Sequence, residues 1–226
     1  VEMVNNINGG GFNFDLKLVA KAGSTDLKLI QEKDSWQYFY YTTDAEKNEA
    51  LGVTWDSYPD GWYQPTFDRS GWLTGNGFFA GNSWPKAGYG TKLDVTQDYE
   101  LHAGFAKTFT LTDASAVTTL KMGIMYDENP VVYLNGVKIF TTTGYKDNAY
   151  LEVNLNQYKN LLVNGKNVIT AQMMNAQGGG GFLFALTLTA GVEPLQLYDA
   201  AGMAIVDSAS SNWAWASSDI GSANNI

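Results

Sequence analysis

Alternation of apolar and polar positions recurs along the chain. In 181–190, Phe182, Phe184, Leu186 and Leu188 alternate with Leu183, Ala185, Thr187 and Thr189. A period of two sends alternate side chains to opposite faces, so this segment reads as a half-buried strand. Leu120, Met122 and Ile124 share one face in 117–125, as do Phe105, Phe109 and Leu111 in 104–111. Segments 130–134 and 137–141 flank Asn135-Gly136, a dipeptide that closes two-residue hairpins because both residues accept positive φ. Segment 166–174 reads as a further strand. One short helix is predicted over 156–163, stopped by Asn164-Gly165. Short strands separated by turn signals predict an all-β sandwich, with Phe182, Phe184, Leu186, Tyr133, Leu120 and Ile124 buried.

Segment 51–92 has no such period. It carries ten aromatic residues among many Gly and Pro. Long loops packed by their own rings are expected there, forming either a structured surface or a binding platform.

The chain also matches itself. Residues 1–20 align with 171–190 without gaps at ten of twenty positions, including Gly9–Gly11 with Gly179–Gly181 and Phe12/Phe14 with Phe182/Phe184. A tandem array is the reading of such a match. Residues 1–30 are then the closing strands of a preceding repeat, 31–190 a complete module, and 191–226 a linker and the first strand of the next. On this reading 1–20 is a hairpin or strand pair equivalent to 171–190, whose Phe12/Phe14/Leu16/Leu18 face needs a cover. The alternative is one domain with two similar Gly-rich hairpins.

Composition narrows the function. Charged residues are 16% of the chain, the net charge is −9, and Arg69 is the one arginine. A phosphate-backbone binder needs a basic face, so nucleic acid is not the expected partner. There are no cysteines, which removes disulfide scaffolds, thiolate zinc sites and thiol catalysis. No apolar run approaches the ~18 residues of a membrane span. The chain begins at Val1 without a signal peptide, which suggests a mature product or an excised fragment. An acidic, Cys-free chain rich in Asn, Gly, Thr and aromatics fits a bacterial protein that is secreted or displayed on the cell surface.

Several blocks together resemble a known group: FDRSGW at 67–72, GYGT at 88–91, FAKTFTL at 105–111, YDENPVVYLNGVKIF at 126–140, LLVNGKNVITAQ at 161–172 and GGGGFLFALTL at 178–188. They resemble the galactose-binding-like jelly-roll modules of bacterial glycoside hydrolases, and are similar to the sugar-binding domains of β-galactosidase-type enzymes. The resemblance covers about 31–190. One departure is Ala106-Lys107, where the group usually has an arginine before the phenylalanine. The resemblance implies a jelly-roll β-sandwich that binds glycans or braces a catalytic domain. It also implies Trp36 and Trp72 as framework residues.

The remaining chemistry is sparse. Glycoside hydrolysis needs two carboxyls in distinct environments about 5–10 Å apart. Asp127 and Glu128 in YDENP, and Asp56 and Asp60 in WDSYPDGW, are candidates, but neighbours on a strand point to opposite faces. Base, nucleophile and oxyanion donors are not supplied together, so no enzyme is expected. His102, the single histidine, reads as a solvated loop residue. Asp127 and Asn129 carry oxygens of the kind Ca²⁺ prefers, and the resemblance adds that related jelly rolls often hold a structural Ca²⁺; the alternative is a side chain closing the turn. No other cofactor is expected.

Aromatic and amide side chains on loops are the surplus. A Trp or Tyr plate covers the C–H face of a sugar, and Asn or Asp holds its hydroxyls. Trp62 and Tyr63, Trp84 and Tyr89 with Asn82, and Tyr145 beside Lys146 and Asp147 are the candidate plates and partners. The expected function is non-catalytic binding of a polysaccharide or oligosaccharide, with neighbouring repeats as the other partner. The alternatives are a structural spacer or adhesin stalk without a sugar site, and a fragment of a glycosidase.

Overall fold

The computed structural model describes residues 25–81, 88–94, 100–176 and 181–192. Thr25–Val192 form one compact unit; the rest of the chain, Val1–Ser24 and Glu193–Ile226, lies outside the described residues, and with it the predicted equivalence of 1–20 to 171–190. In chain order the elements are β1 (Thr25–Ile30), β2 (Ser35–Thr42), α1 (Ala45–Leu51), β3 (Leu73–Asn76), β4 (Phe79–Ala80), β5 (Thr91–Lys92) and β6 (Leu101–Leu111). Then come β7 (Val117–Asp127), β8 (Val131–Leu134), β9 (Val137–Thr141), β10 (Tyr145–Asn154), β11 (Gly165–Asn175) and β12 (Leu183–Val192). No helix among the described residues is long and apolar enough to cross a membrane.

The fold is an all-β sandwich. One sheet runs β10-β7-β12-β4-β5, with β1 also paired to β12; the other runs β3-β2-β6-β11-β8-β9. The pairings are antiparallel except β4 with β5. Between the sheets, Trp36, Phe79, Phe105, Phe182 and Phe184 are each at most 2% exposed. Phe184 is the centre of this ring packing: it stacks on Phe105 (centroids 4.3 Å apart, 24°) and takes Trp36 edge-on at 5.5 Å. Trp36 is thus core, as expected.

The Asn135-Gly136 hairpin forms as read, with φ of 48° and 85°. Its side chain explains why the hairpin and the GKNVI strand travel together. Asn135 Nδ2 donates to Asn167 Oδ1 at 2.8 Å and to the Leu161 carbonyl, and its Oδ1 accepts from the Val168 N–H. Asn167 is fully buried and also bonds Val163 and Gly165.

Two expectations are corrected and one is narrowed. Residues 156–163 form a 3₁₀ turn over Asn156–Leu161 in place of an α-helix, with no side-chain cap at Leu155. Residues 171–190 are the strand pair and not the hairpin of the tandem reading: β11 lies in one sheet and β12 in the other. Alternation is the same for either arrangement, since each strand turns one face to the core in both. Tyr133 is half-buried on the outer face of β8, while Val132 and Leu134 are the fully buried members.

Candidate functional site

The outer face of the second sheet is covered by its own connecting segment. β2 sends Trp36, Tyr38 and Tyr40 into the sandwich and Phe39 and Tyr41 outward. Residues 52–72 fold back over that outer face and bury Phe39, Tyr41, Trp62 and Trp72 in a second cluster. Phe39 touches Trp72 (4.5 Å), Trp55 (5.1 Å) and Tyr58 (5.6 Å) between centroids. The Tyr58 hydroxyl donates to the Met173 and Ala103 carbonyls on β11 and β6.

Arg69 fixes the segment from within. Its guanidinium is 7% exposed and donates to the carbonyls of Trp62, Gln64 and Phe67, while lying 5.5 Å from the Trp72 ring. Burial lowers its pKa. The single arginine is therefore a fastener for the FDRSGW turn.

This arrangement encloses one of the candidate plates and leaves a second half-buried. Trp62 is 4% exposed and enclosed by Phe39, Tyr58 and Trp72, so it presents no face to a ligand. It is a packing residue, as is Trp72. Tyr63 stacks on Tyr133 at 4.7 Å and 17°, with both rings half-buried. Burial, and then the neighbouring Tyr63, raises the Tyr133 phenol.

His102 is not a solvated loop residue. It sits on β6 with its side chain 16% exposed, its ring stacked on Tyr41 at 5.0 Å and its Nε2 2.7 Å from Glu100 Oε1. It is the second residue of β6 and pairs with Tyr41 on one side and Met174 on the other.

The other candidates separate in space. Tyr89 is 40% exposed and stands two residues before β5. Tyr145 is 71% exposed and opens β10. These strands are opposite ends of the path β10-β7-β12-β4-β5, so four strand spacings, about 19 Å, separate the strands beside which the two rings stand. Asn82 and Trp84 lie outside the described residues.

Tyr145 has the chemistry around it that a plate requires. It pairs across the sheet with Asp127, the last residue of β7, and directly opposed residues put their side chains on the same face. Tyr126, the neighbour of Asp127, belongs to the core, so Asp127 and Tyr145 face outward. Asp127 is nevertheless only 8% exposed. Burial first, then Glu128 and Asp147, push its carboxyl up to about 6. The register slips between Lys146 and Leu151, so Asp147 stands on an irregular stretch of the edge strand.

Asn129 closes this rim. With φ of 50°, it accepts the Gly144 N–H on Oδ1 at 2.7 Å and donates from Nδ2 to Glu128 Oε2. Its amide oxygen is thus engaged by the backbone beside Tyr145. Calcium takes six to eight oxygens, and among the described residues no group of three or more acids, His or Cys is arranged to hold a metal. Asn129 closes the turn through these two bonds.

No family model matches the chain, and no curated protein matches it. Among solved structures it is similar to a calcium-binding mutant of Bacteroides uniformis β-glucuronidase 2, at 14% identity and TM-score 0.49, over 74% of this chain and 18% of that one. It is similar to a β-glycosidase from Bacteroides vulgatus at 16% identity and TM-score 0.43, over 74% and 20% of the two chains. A β-glucuronidase from an uncultured Clostridium sp. gives 11% identity and TM-score 0.43, over 80% and 31%. The chain spans less than a third of the length of each of these bacterial glycoside hydrolases.

Proposed function

We propose that the sandwich is a galactose-binding-like jelly roll that binds a polysaccharide or oligosaccharide without cleaving it. In this reading it is a module of a secreted or cell-surface multimodular bacterial protein, repeated in tandem. The observation that carries the reading is the Tyr145 rim: a ring 71% exposed, set on the same face as a recessed carboxyl, Asp127. The ring supplies the apolar plate, and the carboxylates supply acceptors for sugar hydroxyls. A single such site gives Kd in the mM to μM range, about 4–8 kcal/mol. Repeats would raise it through effective concentration.

A carboxyl titrating near 6 beside a second acid also resembles the acid half of a glycosidase pair. The test therefore has two readouts on the full chain. Affinity electrophoresis against a panel of plant and microbial polysaccharides is expected to show retardation by at least one glycan. Release of reducing ends from the same panel is expected to stay at the buffer rate. A second reading, a spacer with no sugar site, draws on the enclosure of Trp62 and Trp72 in packing. Absence of retardation by every glycan would favour it.

A further inference from the structure

Resting on the tandem-repeat part of that reading, we propose that residues 1–20 close a second sandwich, one with this core and a different outer surface. The partner of the N-terminal segment is then a sister jelly roll rather than this one. Residues 1–20 lie outside the described residues, but most of their counterparts at an offset of 170 are described, and those carry the inference. Met3 and Asn5 repeat Met173 and Asn175 of β11. Phe12, Phe14, Leu16, Leu18 and Ala20 repeat Phe182, Phe184, Leu186, Leu188 and Ala190. Each of these counterparts is at most 2% exposed, and all but Asn175 belong to the core between the sheets.

Asn175 is the telling position. It shares the parity of Met173 and pairs with Leu101, both of the core. Alternation asks for an apolar residue there, yet the amide is repeated at Asn5. The other face of the same strands is not repeated at all: Met174 becomes Val4, Leu183 becomes Asn13, Ala185 becomes Asp15 and Thr187 becomes Lys17. Alternate residues of a strand see opposite faces, so the inner environment of 1–20 is the same and the outer one is different. A chance likeness of two Gly-rich segments would spread its identities over both faces.

The outer face says which sandwich is closed. Leu183 and Ala185 are 0% and 1% exposed, buried with Phe78 and against Met125 and Tyr150. Asn13 and Asp15 would bring an amide and a carboxylate into that apolar cluster, a costly burial without partners. The slot that β12 fills therefore does not suit 1–20, in this chain or in a second copy of it. It suits a sandwich that is polar outside at these two positions.

The test uses two grafts in the full chain, followed by urea unfolding and near-UV circular dichroism. In the whole graft, 171–190 takes the sequence of 1–20; in the second graft, Leu183 and Ala185 are retained. The second graft is expected to keep one cooperative transition, an unchanged m-value and the signal of the aromatic core. The whole graft is expected to unfold at least ~1 M lower in urea than the second. A second graft without a cooperative transition would overturn the closing-strand assignment. A whole graft as stable as the second would overturn the separate partner, because 1–20 would then fit this sandwich and exchange between copies. Neither readout involves a glycan, so failure here is distinct from failure of the carbohydrate reading.

Discussion

Asn135 Nδ2 reaches Asn167 Oδ1 at 2.8 Å, joining the tip of one hairpin to the strand that begins 30 residues later. Both amides are otherwise engaged by backbone groups, and Asn167 is fully buried. Truncation of Asn167 removes its bonds to the Val163 N–H and C=O and to the Asn135 amide, each worth about 0.5–1.5 kcal/mol. Asn167→Ala is expected to cost at least ~2 kcal/mol, read as a lowered urea midpoint at unchanged m-value. A change below ~0.5 kcal/mol would mean that water replaces the network.

Phe184 is 1% exposed and touches Trp36, Phe79 and Phe105. Phe184→Ala is expected to cost ~3–5 kcal/mol, the range for a large cavity between rigid rings. The same denaturation measurement checks it.

Gly104 lies under Phe39: a Cβ there would stand 2.3 Å from Phe39 Cε1. The ring is held in turn by Trp55, Tyr58 and Trp72. Gly104→Ala is expected to destabilise by ~1–3 kcal/mol through overpacking, with a changed near-UV circular dichroism signal from the displaced aromatic cluster.

Asp127 carries a pH signature. Its unfolded pKa is about 3.9, and its folded value is about 6. Between these the folded state holds the extra proton, so stability falls as pH rises through 6. The full cost above that range is roughly 2–3 kcal/mol. Asp127→Asn is expected to raise stability at pH 7.5 and to flatten the slope between pH 5 and 7.5, as measured by urea unfolding of both proteins. An unchanged slope would contradict the assignment.

The alternating strands were legible because large apolar residues recur at every second position, although the half-buried reading of 181–190 fails at Leu183 and Ala185, which a separate cluster buries on the other face of β12. β2 was not, since SWQYFYYT buries both faces, one in the sandwich and one under residues 52–72. β10 was hidden for the opposite reason: it is a polar edge strand, and only Leu151 and Val153 pack against the main core. The site was legible in residue type and not in place. Trp62 and Tyr145 look alike in sequence, each directly after a glycine in a stretch with other aromatics, and only the return of residues 52–72 over β2 separates the enclosed ring from the exposed one. Arg69 gave a signal of its own, a single arginine in an acidic chain, but its carbonyl partners are two to seven residues away and only the folded turn brings them to it.

The most direct measurement is a calorimetric titration of the full chain and of Tyr145→Ala with the tightest-binding glycan of the panel. Tyr145 is 71% exposed, so its removal leaves the core intact. The account predicts at least a tenfold weaker Kd, about 1.4 kcal/mol, with an unchanged urea midpoint. Equal binding by the variant, or no binding of any glycan by the unaltered protein, would contradict it.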